Sequence, residues 1–372
     1  MPTVPAAHGY SEMADATGPG VYTFPPHARL LGVMSLRGSA AALLAVGTLL
    51  AAACASSPSV ATRPSPSALP KEPGPRGYAT LVDTPTGMAL VGGVNAGPRC
   101  GGRAFLDVWA NDLGHGWTLV APDESAASPD GDGVAYHPST GAFVYVDPGG
   151  AAWRLDAGRT KWTKQATGGP SSHGIRLVWD TRADRFLTFG GDINASKYFD
   201  DTWEYDFAHD TWTKRVPRSS PPGRSYYAIA YDAKASQLVM FGGVDRSSEF
   251  GDTWGYSYAA NKWTRITTSV SPSPRHYSTM VYDPVRYRML LFGGADDVET
   301  VQGDTWAFDL RTNTWSQLHP SGPTPSARAW HAMAFDIESG KAVLYSGGPN
   351  RCAFTTELWT FDARTDSWAK LA

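Results

Sequence analysis

The chain has 372 residues, 42% of them hydrophobic, 12% aromatic and 18% charged, with a formal net charge of −3. That balance belongs to a packed globular β protein and excludes a disordered chain. Weak acidity with acidic loops also argues against a nucleic-acid partner.

Residues 1–33 read as an upstream extension outside the fold, because Met34-Ser35-Leu36-Arg37 makes a conventional start. Arg37 precedes an uncharged Ala- and Leu-rich stretch from Gly38 to Ala53, which ends in Leu50-Ala51-Ala52-Ala53-Cys54. A basic start, a short apolar segment and small residues before a cleavage point make a signal peptide over 34–53. With a cysteine directly after that point it resembles a bacterial lipoprotein signal, although Ala51 stands where such signals more often carry Leu. The resemblance implies a lipidated Cys54, a Pro/Ser-rich tether over 54–75, and membrane attachment at the cell envelope through the lipid alone. A plain secreted protein or an uncleaved anchor are the alternatives; the 16 apolar residues are slightly short for a span of about 20.

From residue 76 to 372 a paired-tryptophan unit recurs six times, about every 50 residues. The first members are Trp109, Trp153, Trp203, Trp254, Trp306 and Trp359; the second are Trp117, Trp162, Trp212, Trp263, Trp315 and Trp368. Upstream of each pair an apolar run usually ends in Gly-Gly, as in Phe241-Gly242-Gly243, and before it stands an aromatic-Asp doublet such as Tyr231-Asp232. In the unit that begins at Arg224, short strands are expected over 226–232, 237–241, 253–258 and 262–266, each bounded by Gly, Asn, Asp, Ser or Pro. Helical spacing appears nowhere in this region. A lone four-stranded sheet leaves both faces wet, so the units must stack, and six of them can close a ring.

This unit resembles the kelch repeat, a four-stranded propeller blade. The resemblance covers roughly residues 74–372 and implies an all-β fold, a six-bladed β-propeller of four-stranded antiparallel blades. The in-register tryptophans then read as blade core, each burying about 150–250 Å². If Cys54 carries lipid, Cys100 and Cys352 remain, in loops of the first and last units. A closed ring makes those units neighbours, so a Cys100–Cys352 disulfide is expected to clasp the closure in an oxidising compartment. The other reading is two unlinked thiols.

One face of such a ring gathers the polar candidates. Arg76, Arg224, Arg275 and Arg328 start the first strands of four units; His276 and His331 follow closely, and the loops add Tyr198, Asp245, Asp296 and Asn350. Phe105, Phe250 and Phe354 join them as possible stacking surfaces. Each arginine has two readings: a ligand contact, or a structural bond to the acid that opens the third strand, namely Asp107, Asp252, Asp304 or Glu357. The second unit lacks both partners, and the third keeps Asp201 without an arginine. Because Gly149-Gly150 is followed almost at once by Trp153, the second unit is expected to have a low rim, a notch able to admit an extended ligand or simply a degenerate blade.

Signatures of chemistry are thin. Galactose oxidase, a kelch protein, needs a copper site that no residues here match, and Ser128-Pro129-Asp130-Gly131-Asp132-Gly133 departs from the sialidase box and from a full Ca²⁺ loop. Phosphate-cradling, dinucleotide and Ser-nucleophile motifs are absent. No cofactor or metal is therefore expected. The reading is a monomeric binding or scaffolding module for carbohydrate or an envelope protein. The competing reading is a sugar-acid isomerase resembling the kelch sialic-acid epimerases, in which arginine grips the carboxylate and a His or acid moves the proton.

Overall fold

The structure, a computed structural model, describes residues 70–96, 100, 102–113, 116–123, 133–158, 160–296 and 300–371. The signal segment, Cys54, most of the tether, Asp130 and Asp132 lie outside the described residues. Six four-stranded antiparallel sheets follow one another in sequence, each with its strands in chain order from the inside outwards. Blade 4 shows the pattern: Ala228–Asp232, Gln237–Phe241, Thr253–Ser257 and Lys262–Ile266. Blade 3 adds a two-stranded hairpin, Asp192–Ile193 with Lys197–Tyr198, between its second and third strands.

Short strands follow from the turn chemistry. Asp232 Oδ1 accepts the backbone N–H groups of Lys234 and Ala235, at 3.0 and 3.1 Å, which makes an Asx turn. Asp180, Asp283 and Asp336 do the same in their own blades. The Asp of each aromatic-Asp doublet is thus a turn former.

Both faces of every sheet are apolar, and six core clusters fill the six gaps between neighbouring blades, including the gap between blades 6 and 1. Eleven of the twelve in-register tryptophans belong to these clusters or pack against them; Trp203 is the exception. The second tryptophan of a blade reaches back to the blade before it. Trp263, Trp315 and Trp368 donate to the hydroxyls of Thr202, Thr253 and Thr305, at 2.9, 2.9 and 3.1 Å.

Among the described residues no strand is exchanged across the gap between blades 6 and 1, so closure falls to other devices. Cys100 and Cys352 are disulfide-bonded, with Cα atoms 5.6 Å apart. The Tyr345 hydroxyl donates to Pro73 O at 2.6 Å, so seam contacts begin slightly before residue 76. Ser346, at φ 63°, takes the place of the first glycine of the pair, and Gly347 that of the second. Its hydroxyl accepts from Arg76 N at 3.0 Å, a bond that a glycine would not make.

Candidate functional site

The four arginines are internal struts. Arg224 holds Asp252 with both terminal nitrogens, at 2.5 and 3.1 Å, while Nη1 also donates to Gly242 O at 3.0 Å and Nε to Pro222 O at 3.1 Å. Arg275 repeats this on Asp304, Gly293 and Ser273, and Arg76 on Asp107, Gly92 and Gly74. Arg328 uses Glu357, Ser346 and Ser326. The first tryptophan of each of these blades donates its indole N–H to the same acid. The arginine side chains are at most 3% exposed. Bidentate, charge-assisted bonds of this kind hold Asp252 and Asp304 ionised, their pKa values lowered even though burial alone pushes them up. The four guanidinium groups are thus committed to internal acceptors.

The aromatics expected to stack on a sugar are partly committed too. The Arg224 guanidinium lies 3.8 Å from the ring centre of Phe250, and that of Arg76 lies 4.8 Å from Phe105. Phe354 packs on Gly77, where an added Cβ would come within 2.4 Å of its ring.

The remaining candidates are dispersed. Asp245, Asp296 and Asn350 accept backbone N–H groups within their own loops, from Ser247, Thr300 and Cys352. Burial, then the charges of Asp192 and Asp245, pushes the Tyr198 phenol up to about 12. The imidazole of His276 pairs through Nδ1 with Glu249, a partner the sequence did not suggest. His331 is buried between blades 5 and 6, and neither ring nitrogen reaches a partner among the described residues. Burial, then the charges of Arg328 and Arg176, lowers its pKa to about 3, so it stays neutral. Among the described residues no group of three or more His, Cys, Asp or Glu is placed to hold a metal ion.

Sequence reasoning missed an aromatic ring at the loop end of the channel. Tyr78, Tyr226, Tyr277 and Trp330 each stand two residues after a strut arginine, all at φ between 55 and 61°. Their backbones are hydrogen-bonded in series from blade to blade: Tyr226 N to Gly174 O, Tyr277 N to Tyr226 O, Trp330 N to Tyr277 O and Tyr78 N to Trp330 O. The rings meet across the channel, Tyr226 and Tyr277 with centres 4.5 Å apart and Tyr277 and Trp330 5.1 Å apart. The signal was present as a recurring Arg-x-aromatic triplet. The left-handed backbone also explains why the first strand of blade 4 starts at Ala228 and not at Tyr226. At the opposite, hairpin end the channel holds a cavity of about 720 Å³, lined by the inner strands of all six blades.

The rim of the loop face is uneven. In blade 2 the second strand, Ala142–Val146, and the third, Ala152–Leu155, are joined by residues 147–151 alone. In blade 4 residues 242–252 make the same link. Blade 2 does retain an acid for its tryptophan, contrary to the expectation that it lacks one: Asp147 Oδ2 accepts from Trp153 Nε1 at 2.8 Å.

Repeated blades, buried struts and an uneven loop rim define a propeller built to hold its loops, the construction of a binding or scaffolding module. The description of the KLHDC2/KLHL20/DRC7 Kelch-repeats domain matches residues 146–336, just over half of the chain, and the chain belongs to the kelch-repeat β-propeller family. It is 25% identical over 230 residues to acyl-CoA-binding domain-containing protein 4 of Arabidopsis thaliana, which covers 57% of this chain and 33% of that protein. It is 26% identical over 171 residues to host cell factor 1 of Rattus norvegicus, covering 40% of this chain and 8% of that protein. The matched stretches span a third or less of these relatives.

Proposed function

We propose that the propeller is a protein-binding module that receives an extended segment of its partner on the loop face, across the low rim of blade 2. The observation that carries this reading is the five-residue link 147–151, set among loops such as 242–252. A protein ligand is preferred to a carbohydrate because Phe105 and Phe250 already stack on struts. The isomerase reading gains no support, since its carboxylate-gripping arginines are buried against internal acids and His331 is sealed from solvent.

Replacing residues 147–151 with the loop of blade 4 fills the notch. A photo-crosslinker at the exposed Ser171 should capture the partner in the natural protein and lose it in the filled variant, with unchanged melting temperature. Equal capture by both would sink the reading. We place the module in an oxidising compartment, held at the envelope membrane through Cys54. The Cys100–Cys352 bond supports the compartment, and loss of membrane association in Cys54→Ala tests the anchor.

A further inference from the structure

Blade 3 lacks its strut arginine but keeps everything that would hold one. His173 N and O pair with Asp192 as Ser225 pairs with Val244, so Ser172 occupies the backbone position of Arg224. The space that the arginine fills in blade 4 is here a pocket of about 260 Å³, lined by Ser172, Pro170, Gly190, Phe199, Asp201 and Trp203 among others. These are the counterparts of the groups that hold Arg224: the carboxylate of Asp252, the carbonyls of Gly242 and Pro222, and the ring of Phe250.

We infer that this pocket binds the guanidinium group of an arginine supplied by another molecule, which completes the third strut in trans. The slot offers a carboxylate for bidentate bonding, carbonyl acceptors and an aromatic face, a set that suits the planar fork of arginine and not the point charge of lysine. Asp201 now holds Lys214 at 2.7 Å. Blade 6 shows that this does not block the slot, because Glu357 there holds Arg328 and Lys370 together. Lys197, 4.8 Å from the ring centre of Phe199, is a competing cation on that ring but does not line the pocket. The tryptophan that escaped the blade cores, Trp203, forms part of the wall. For the molecule that carries the arginine, the inference rests on the docking reading above, since the pocket lies beside the low rim.

The probe is agmatine, with 1,4-diaminobutane as the ammonium control, followed at low salt by tryptophan fluorescence and calorimetry. Agmatine should bind at least about tenfold more tightly than the diamine. Ser172→Arg should abolish agmatine binding and raise the melting temperature, because the strut is then built in cis. Asp201→Asn should weaken agmatine by at least about tenfold and gives a second check if Ser172→Arg does not fold. Equal binding of agmatine and diamine, or agmatine binding undiminished by either variant, overturns the inference. Agmatine reads the slot without a partner, so its failure leaves the docking reading standing, whereas failure of the filled-notch experiment leaves the slot.

Discussion

Blades 3 and 4 share the same four-stranded plan, blade 3 adding a short hairpin, and they differ at the strut. In blade 4 the Asp252 carboxylate is closed over by Arg224 and Trp254; in blade 3 the Asp201 carboxylate has turned to Lys214 and borders a pocket. The ring accommodates both, which separates two roles. Stacking of apolar sheet faces closes the propeller, and the arginine strut neutralises a buried acid beneath the loops. Losing the arginine does not break a blade: in blade 3 Lys214 pairs the acid instead, and the internal ion pair becomes an open polar site.

Arg224→Ala is the severest way to break that comparison. It leaves Asp252, 13% exposed, without its cation, and removing one partner of a buried pair costs about 3–5 kcal/mol. Ser172→Ala at the equivalent position of blade 3 loses only a hydroxyl that donates to Gly190 O at 3.4 Å, and should cost about 1 kcal/mol. Urea midpoints of the two variants test the contrast; similar losses would show that the struts do not differ.

The seam between blades 6 and 1 sharpens it next, since there a disulfide and the Ser346 hydroxyl supplement the packed core. Cys352→Ser should destabilise by about 2–4 kcal/mol, and hydrogen exchange should quicken first in Thr80–Thr84 and Ala332–Asp336, the inner strands that meet at that seam. Uniform quickening around the ring would mean that the clasp has no local task.

Much of this was legible in the sequence because repetition multiplies a weak signal. Twelve tryptophans in register fixed the blade count, and the positions of Cys100 and Cys352 in end units located the clasp. The arginines were ambiguous for a physical reason: a guanidinium that bonds an acid internally and one that grips a substrate carboxylate need the same partners, and only burial separates them. Ser172 was invisible as a site because its importance lies in what surrounds it, and a pocket is made by neighbours on three different segments. Ser346 was not legible in the glycine's place because a serine at positive φ is rare and two glycines follow it immediately.

Acids at the two ends of the ring should respond to pH in opposite directions, the smallest effect expected. Glu357, in a strut, is lowered to about 2; burial opposes this, but the bonds from Lys370, Arg328 and Trp359 outweigh it. Its contribution is present above its unfolded value near 4.5 and is lost as pH falls towards 2. Asp83, at the hairpin end of the 6–1 seam, is raised from 3.8 to about 6, first by burial and then by the charges of Asp336 and Glu338, against the N–H of Ile337. Its contribution is present below about 4 and is lost as pH rises to about 6. Asp83 is partly exposed, so solvent screening reduces the penalty at neutral pH to the order of 1 kcal/mol. Asp83→Asn should therefore raise stability at pH 7 by that amount, change it little at pH 4, and leave the acid limb set by the struts in place. A gain at pH 4 equal to that at pH 7 would show that the substitution acts through packing and not through charge.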